Sequence, residues 1–463
     1  MKGFIGAANI DTNSRLCMAS AVAAHKAAFG ADLVPGCYED LDLADLVVFS
    51  GHNAAWTHPV LFRRMEAARD RGQRHVVIDP RRTDTAEMAD LHLPLAPQSD
   101  VRLWNGLLAH LMDCGAVDQA YVATHVSGYG AVVESLARDD QSPAAVAADC
   151  GLTLADLRAF YDLFAATPRT VSLFSMGANQ SAQGVAKGLA ILNVHLATGR
   201  IGKPGACPFS ITGQPNAMGG RETGGLANTL AAHMDFTEVD CARVERFWSA
   251  PNLARKPGLK AVEMFEAVGD GRIKALWVMA TNPAVSMPRA HAVRKALAGC
   301  PFVVVSDCMA YTDTAAFAHV KLPALAWGEK DGTVTNSERR ISRQRAVMAP
   351  PGQARPDWKI IAEVAAAMGH GEAFNWRSNA QVFREWARMT AYENSGRTLD
   401  LGPLVGLTPE AYDALAPVQW PVTPAGGTAR LFTDGRFPTA DGRARMVPTL
   451  ALGPAEATDG AFP

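Results

Sequence analysis

The sequence predicts an α/β protein built on two repeated parallel-sheet units, and three observations carry that prediction. Short apolar runs alternate with longer amphipathic stretches. Two of those alternations match each other at a nearly constant offset. The conspicuous polar residues stand where the apolar runs end.

Length and composition come first. At 463 residues, with 48% hydrophobic content and a formal net charge of -2, the chain exceeds what one core holds, so two or more domains are expected. So even a charge balance offers no basic surface for nucleic acid. No uninterrupted apolar run reaches the roughly 20 residues that span a bilayer, and the stretch MKGFIGAANIDT is too short in apolar residues for a secretory leader. The expectation is a cytoplasmic protein with no nucleic-acid and no membrane partner. Cysteines at 17, 37, 114, 150, 207, 241, 300 and 308 form no C-x-x-C pair, which argues against structural zinc, an iron–sulfur cluster or a disulfide framework. Cysteine chemistry would then be that of single thiols.

The runs ADLVVFS (44–50), HVVID (75–79), TVSLFSMG (170–177), ALWVMA (275–280) and FVVVSD (302–307) read as buried parallel strands. Two regions then repeat. LVVFSGHN leads through HPVLFRRMEAARDRG to HVVIDPRRTDTAEMADLHLPLA, and ALWVMATN leads through MPRAHAVRKALAG to FVVVSDCMAYTDTAAFAHVKLPALA. Asn53 and Asn282, Pro59 and Pro288, Thr83 and Thr312, Thr85 and Thr314, and Pro94 and Pro323 are each 229 positions apart; Asp79 and Asp307 are 228 apart. Open parallel sheets bind ligands beyond the carboxyl ends of their strands, where Asn53, Asp79, Asn282 and Asp307 lie. Two matched sites suggest two nucleotides, or one cofactor with two nucleotide tails. Neither a G-x-G-x-x-G fingerprint nor a Walker lysine loop is present, which disfavours ordinary NAD or ATP binding.

The middle of the chain holds SMGANQSAQG (175–184) and LATGRIGKPGACPFSITGQPNAMGGRETGG (196–225). The second is rich in Gly and Pro yet carries Gln214, Asn216, Met218, Arg221 and Glu222, a mixture suited to backbone folded around a ligand or to an ordered structural loop. Arg221 presents a planar fork of donors that fits a planar oxyanion, and Glu222 is placed to hold that fork. Near the start, NIDTNSRLCMASAVAAHKAAFG (9–30) sets Cys17 between a polar turn and a helix-like run. From the residues alone, Cys17 is either a packed apolar side chain or a sulfur presented at a helix N-terminus.

These segments resemble those of the molybdopterin-dependent oxidoreductases, and within them the bacterial nitrate reductases. NIDTNSRLCMASAV is similar to the segment whose cysteine thiolate ligates molybdenum; SMGANQ and TGQPNAMGGRE are similar to loops over the active site; the repeated halves resemble two Rossmann-like domains that each grip one molybdopterin guanine dinucleotide. The resemblance runs essentially from residue 1 to the C-terminus. It implies residues 1–40 as an active-site cysteine segment, 41–170 and 171–235 as the first dinucleotide-binding region with its loops, 236–370 as the second, and 371–463 as a helical segment and linker.

The resemblance implies Cys17 as a metal ligand, since a soft thiolate suits molybdenum and a helix N-terminus lowers the thiol pKa. Met18, Met176, Gln214 and Arg221 would line the catalytic pocket. Asn13, with Cys17, would meet one pterin; Ser50 through Thr57 (SGHNAAWT, with Ser50, Gly51, His52 and Asn53 foremost), Asp79 through Thr83, and Gln98, Ser99 and Asp100 would hold one nucleotide tail. Met176 and Gln180 would face the metal centre, and Asn282, Ser306, Asp307, Lys330 and Asp357 would play matching parts in the second half. Asp and Asn at strand ends also commonly cap turns, and Lys330 also reads as a solvated charge.

The implied activity is reduction of nitrate to nitrite by oxygen-atom transfer at molybdenum bis(molybdopterin guanine dinucleotide), with electrons from a donor protein or reductase subunit. The wording of GQPNAMGGRETGGLANTLAAH (213–233) is closer to the cytoplasmic assimilatory enzymes than to the periplasmic ones. Two departures accompany the resemblance: the family's N-terminal cysteines for a [4Fe-4S] cluster are not in this sequence, and the chain stops where a β-rich domain covering the pterins is expected. A formate dehydrogenase of the same superfamily is the close rival, but that activity is associated with a histidine after the metal-binding residue, where this chain has Met18. A non-catalytic remnant binding nucleotide or a partner chain is the rival from another class.

Overall fold

The structure is a computed structural model that describes residues 1–453; the last ten residues of the expected 371–463 segment lie outside the described residues. The chain divides into two compact units whose segments interleave. One comprises Leu16–Pro215, Asn336–Arg339 and the segment from Thr428; the other comprises Met1–Arg15, Asn216–Thr335 and Arg340–Gly427.

The first unit is built on a five-stranded parallel sheet. Its strands are β1 (Leu46–Ser50), β2 (Arg74–Ile78), β3 (Leu91–Leu93), β4 (Thr170–Phe174) and β5 (Cys207–Ser210), in the order β3-β2-β1-β4-β5. β1 and β4 are buried at every residue because both faces of the sheet are covered, and the polar side chains of β4 are paired: Thr170 Oγ1 donates to Thr167 O at 2.6 Å and Ser172 Oγ lies 2.8 Å from His195 Nε2. β5 lies in a stretch whose Gly and Pro content reads as loop. It is an edge strand, the position in a sheet that tolerates a proline such as Pro208. Helix α1 (Ala19–Phe29) packs Phe29 against Phe432 and Phe437, with ring centres 5.6 and 5.7 Å apart, and α4 (Gly184–Ala197) is buried along most of its length. Between them in sequence lie α2 (Pro59–Arg69), opened by a proline at its first turn, and α3 (Asp100–Asp113).

The second unit holds a three-stranded parallel sheet, β6 (Ala275–Met279), β7 (Phe302–Asp307) and β8 (Val320–Pro323), in that order. Its core joins Val278, Val303 and Val305 of the sheet to Val293 and Leu297 of the helix Ala290–Gly299. These two sheets are parallel, as the sequence predicts, and the second unit adds an antiparallel sheet of Gly332–Thr335, Arg340–Gln344 and Val418–Gln419.

The registers show the repeat. Leu46 pairs with Arg74 and Ala275 with Phe302; Val76 pairs with Leu91 and Val304 with Val320. The first and third strands correspond at an offset of 229 and the second at 228, so one residue fewer separates the first two strands of the second unit. Among the described residues no helix is long and apolar enough to cross a membrane.

Candidate functional site

The repeat extends to individual hydrogen bonds. In the first unit Asn53 Oδ1 accepts from Thr85 Oγ1 (2.8 Å), whose oxygen accepts from the Ala55 N–H (3.0 Å). In the second, Asn282 Oδ1 accepts from Thr314 Oγ1 (2.6 Å), whose oxygen accepts from the Ala284 N–H (3.1 Å). Asp79 Oδ1 takes the Arg81 N–H at 2.9 Å, and Asp307 Oδ1 takes that of Met309 at 3.0 Å. Thr83 and Thr312 accept from the N–H groups of Ala86 and Ala315. The turn-capping role open to these residues is thus real. It consumes the amide oxygens of both asparagines and turns their NH2 groups outward from the cap as donors.

At the end of β1 the donors are not all satisfied. Ser50 Oγ, His52 Nδ1 and Asn53 Nδ2 are buried and have no hydrogen-bond partner within the protein. Unmade hydrogen bonds on buried polar atoms are costly, so their clustering in four residues marks a place for a polar ligand. His52 Nε2 lies 2.9 Å from His58 Nδ1, and burial together with that neighbour pushes its pKa down, so its ring is neutral at ordinary pH. Gly51, at φ 56°, is pressed on the SMGANQ loop: Gly177 N–H donates to Gly51 O at 2.9 Å, and a Cβ on Gly51 would stand 2.7 Å from Ala178 N and Gly177 Cα. Its counterpart in the repeat, Ala280, has the same left-handed backbone with φ 52°. Gly51→Ala is therefore expected to destabilise the chain by more than about 2 kcal/mol, whereas Ala280→Gly changes stability by less than about 1 kcal/mol. Urea unfolding of the two variants checks this.

Cys17 closes a one-turn helix, Ser14–Cys17, and stands one residue before Met18, the N-cap of α1. Its sulfur is half-buried, 3.8 Å from Gln214 Oε1, which also accepts from Thr212 Oγ1 at 2.6 Å. The SMGANQ loop caps α1: Asn179 Oδ1 accepts from the Ala21 N–H (2.8 Å) and Asn179 O from Ser20 Oγ (2.8 Å). Met176 and Gln180 flank that cap, with Met176 half-buried and Gln180 exposed. The contrast with other cysteines is chemical. Burial and Asp40 push the Cys37 thiol up to about 12, and burial pushes Cys150 up to about 11, so both stay protonated.

Of the QSD residues, Gln98 adopts φ 73°, Ser99 Oγ donates to Ala96 O, and Asp100 pairs with Lys187 at 2.7 Å, the two side chains being 9% and 4% exposed. Lys187 Nζ also reaches Gly177 O at 3.4 Å. Sequence reasoning missed Lys187. Its signal is a lone charge in the otherwise apolar run GVAKGLAILNVHLA.

In the second unit Arg221 sits on the helical turn Ala217–Glu222, 6% exposed, with Nη1 donating to Ala217 O at 3.2 Å. Glu222 accepts from Thr335 Oγ1 (3.0 Å) and Trp420 Nε1 (2.6 Å). The following loop is pinned by residues that sequence reasoning also missed: Lys2 Nζ donates to Gly224 O, Leu226 O and Thr229 O at 2.6–2.7 Å, and Asp11 accepts from the Ala227 N–H. Asn13 is exposed. Ser306 is buried and accepts from Trp277 Nε1, and Lys330 and Asp357 form an ion pair at 2.8 Å, so Lys330 is not a merely solvated charge. Asp307 lines a cavity of about 360 Å³ beyond the strand ends.

Two like strand-end frames on parallel sheets, one of them carrying unpartnered buried polar atoms, define an α/β protein built on a duplicated unit. Residues 1–367 match the model of the molybdopterin oxidoreductase family, and the chain belongs to that family. A nitrate reductase of Klebsiella oxytoca is 54% identical over the whole chain, which covers 52% of that relative. One from Shewanella frigidimarina is 47% identical over 96% of the chain and 48% of the relative. The chain thus spans about half the length of these relatives. Acetylene hydratase from Pelobacter acetylenicus superposes with a TM-score of 0.71 over 95% of this chain and 60% of that one; at 19% identity the likeness concerns the fold alone. The family's group is a molybdenum–pterin cofactor, and the unpartnered Ser50, His52 and Asn53 atoms and the half-buried Cys17 sulfur are the donor set that fits one.

Proposed function

We propose that this chain carries the molybdenum site of an enzyme that reduces nitrate to nitrite, with molybdenum bis(molybdopterin guanine dinucleotide) as its cofactor. The observation that carries the reading is the atom-for-atom duplication of the strand-end frame, Asn53–Thr85 and Asn282–Thr314, in a chain whose whole length matches nitrate reductases. The bound cofactor supplies oxygen-atom transfer and two-electron redox chemistry. The chain's own residues bind and orient. Cys17 would hold the metal as thiolate, Met18 and Met176 would form polarisable walls, and Ser50, His52 and Asn53 would donate to or accept from one nucleotide tail. Asn282, Asp307 and the cavity beside it would take the other. Cytoplasmic residence, an assimilatory role and a separate electron-donor protein or subunit belong to the same proposal, supported by the wording of residues 213–233.

The test is metal, pterin and nucleotide analysis of the purified chain, together with nitrate-dependent oxidation of a reduced viologen. Molybdenum, two guanine nucleotides per chain and nitrate turnover support the proposal. Formate oxidation without nitrate turnover, or a folded chain that takes up no cofactor, overturns it.

Arg221 is assigned to the nitrate anion. Loss of a charge-assisted hydrogen bond costs about 1.5–3 kcal/mol, or roughly ten- to a hundredfold in kcat/KM. Arg221→Ala is expected to show that loss and Arg221→Lys a smaller one, because an ammonium keeps the charge without the fork. Reduction of the metal by dithionite should be unchanged in both. Wild-type kcat/KM for nitrate in Arg221→Ala would return the loop to a structural role.

A further inference from the structure

The repeat fails at one kind of position. Trp56, in the turn after Asn53, is 65% exposed, and its counterpart at the 229 offset is Val285. The second unit instead carries Tyr311, 88% exposed, in the loop after β7, which is one residue longer than the loop after β2 between its Asp and its capping Thr. The aromatic ring has moved from the first loop to the second, yet each unit keeps one in a loop that follows a strand end.

Both rings are held in place. The Trp56 indole donates to Asp84 Oδ2 at 2.7 Å, and the Arg81 guanidinium lies 5.7 Å from its centre. Lys321 Nζ lies 5.3 Å from the Tyr311 ring and is itself anchored to Ala310 O at 3.2 Å. Arg81 is the residue whose N–H is fixed by Asp79, and Lys321 lines the cavity that Asp307 borders. An exposed aromatic ring fixed by a hydrogen bond or a cation has paid its ordering entropy before any ligand arrives, and base–aromatic stacking is the contact such a ring offers to a purine.

We infer that Trp56 and Tyr311 are stacking platforms for the purine bases of the two nucleotide tails, one per unit. The inference rests on the dinucleotide cofactor proposed above and adds the residues that meet the bases. The duplicated Asn–Thr frame serves what the two tails have in common, and the divergent aromatic positions let each unit receive its base from a different loop.

The test uses the cofactor-loaded chain and follows guanine nucleotide retained after dilution and gel filtration, with thermal unfolding as the check on folding. Trp56→Ala and Tyr311→Ala should each release one of the two nucleotide equivalents roughly ten- to a hundredfold faster than wild type. Trp56→Phe and Tyr311→Phe, which keep a π-face, should restore most of the retention. Wild-type release from either alanine variant, at unchanged unfolding temperature, overturns the platforms. A loaded wild-type chain that yields molybdenum and pterin but no guanine nucleotide overturns the dinucleotide reading itself, a result distinct from failure of the platforms alone.

Discussion

Cys17→Ala is expected to abolish nitrate turnover and to remove one sulfur from the molybdenum X-ray absorption shell, while Cys114→Ala does neither. The expectation rests on presentation of the sulfur. Of the cysteines whose surroundings are clearest, Cys37 and Cys150 are buried and held protonated, so neither can offer a thiolate. Cys114 is exposed at the C-cap of α3, the end of that helix away from Asp100. Cys17 alone combines partial exposure with a place immediately before a helix whose Ala21 N–H is capped by Asn179 of the SMGANQ loop. Cys17→Ser should retain cofactor better than Cys17→Ala yet remain nearly inactive, because a hydroxyl is a hard, weakly acidic ligand where a soft anionic one is required. Nucleotide content separates this from misfolding: a variant that keeps both nucleotides and loses one metal–sulfur contact has lost a ligand. Unchanged turnover in Cys17→Ala would place the residue among the packing cysteines.

What the sequence disclosed and what it hid follow from the range of the interactions involved. β1 and β4 were legible because strands covered on both faces are rich in apolar residues, and β6 and β7, less fully buried, because Leu276, Val278, Val303 and Val305 face their core within short Val-rich runs. The repeat was legible because its Asn and Thr residues, 32 positions apart in each unit, make hydrogen bonds whose chemistry admits few substitutes and so recur at one offset. β5 was not, since a four-residue edge strand with Pro208 carries neither periodicity nor length. The interleaving of the units was not either: residues 336–339 join the first unit through Arg339, which is wholly buried and donates to Val34 O, Thr428 O and Ala429 O. Those partners lie 305, 89 and 90 positions away, where pattern gives no guidance. Lys2, Asp11 and Lys187 escaped for the same reason. A charged residue's partner across the fold is invisible until the fold is known.

Lys187→Met is expected to destabilise the first unit by about 3–5 kcal/mol. Lys187 and Asp100 are 4% and 9% exposed and 2.7 Å apart, so the methionine leaves a buried carboxylate without its counter-ion. A carboxylate in that position must either remain charged against the surrounding low dielectric or take up a proton, and both are costly. The double variant Lys187→Met with Asp100→Leu should recover most of the loss, because an apolar pair of similar volume replaces a well-satisfied buried ion pair at little net cost. Urea unfolding of the two single variants and the double gives the coupling directly. The functional consequence is separable, since Lys187 Nζ also reaches Gly177 O, and Gly177 is packed on Gly51 beside the unpartnered Ser50 and Asn53. In the double variant, where stability returns but that contact does not, cofactor retention should stay below wild type. Full retention in the double variant would confine Lys187 to neutralising Asp100; a single-variant loss under about 1 kcal/mol would show that water reaches the pair and that the interior at α3 and α4 is wetter than the packing indicates.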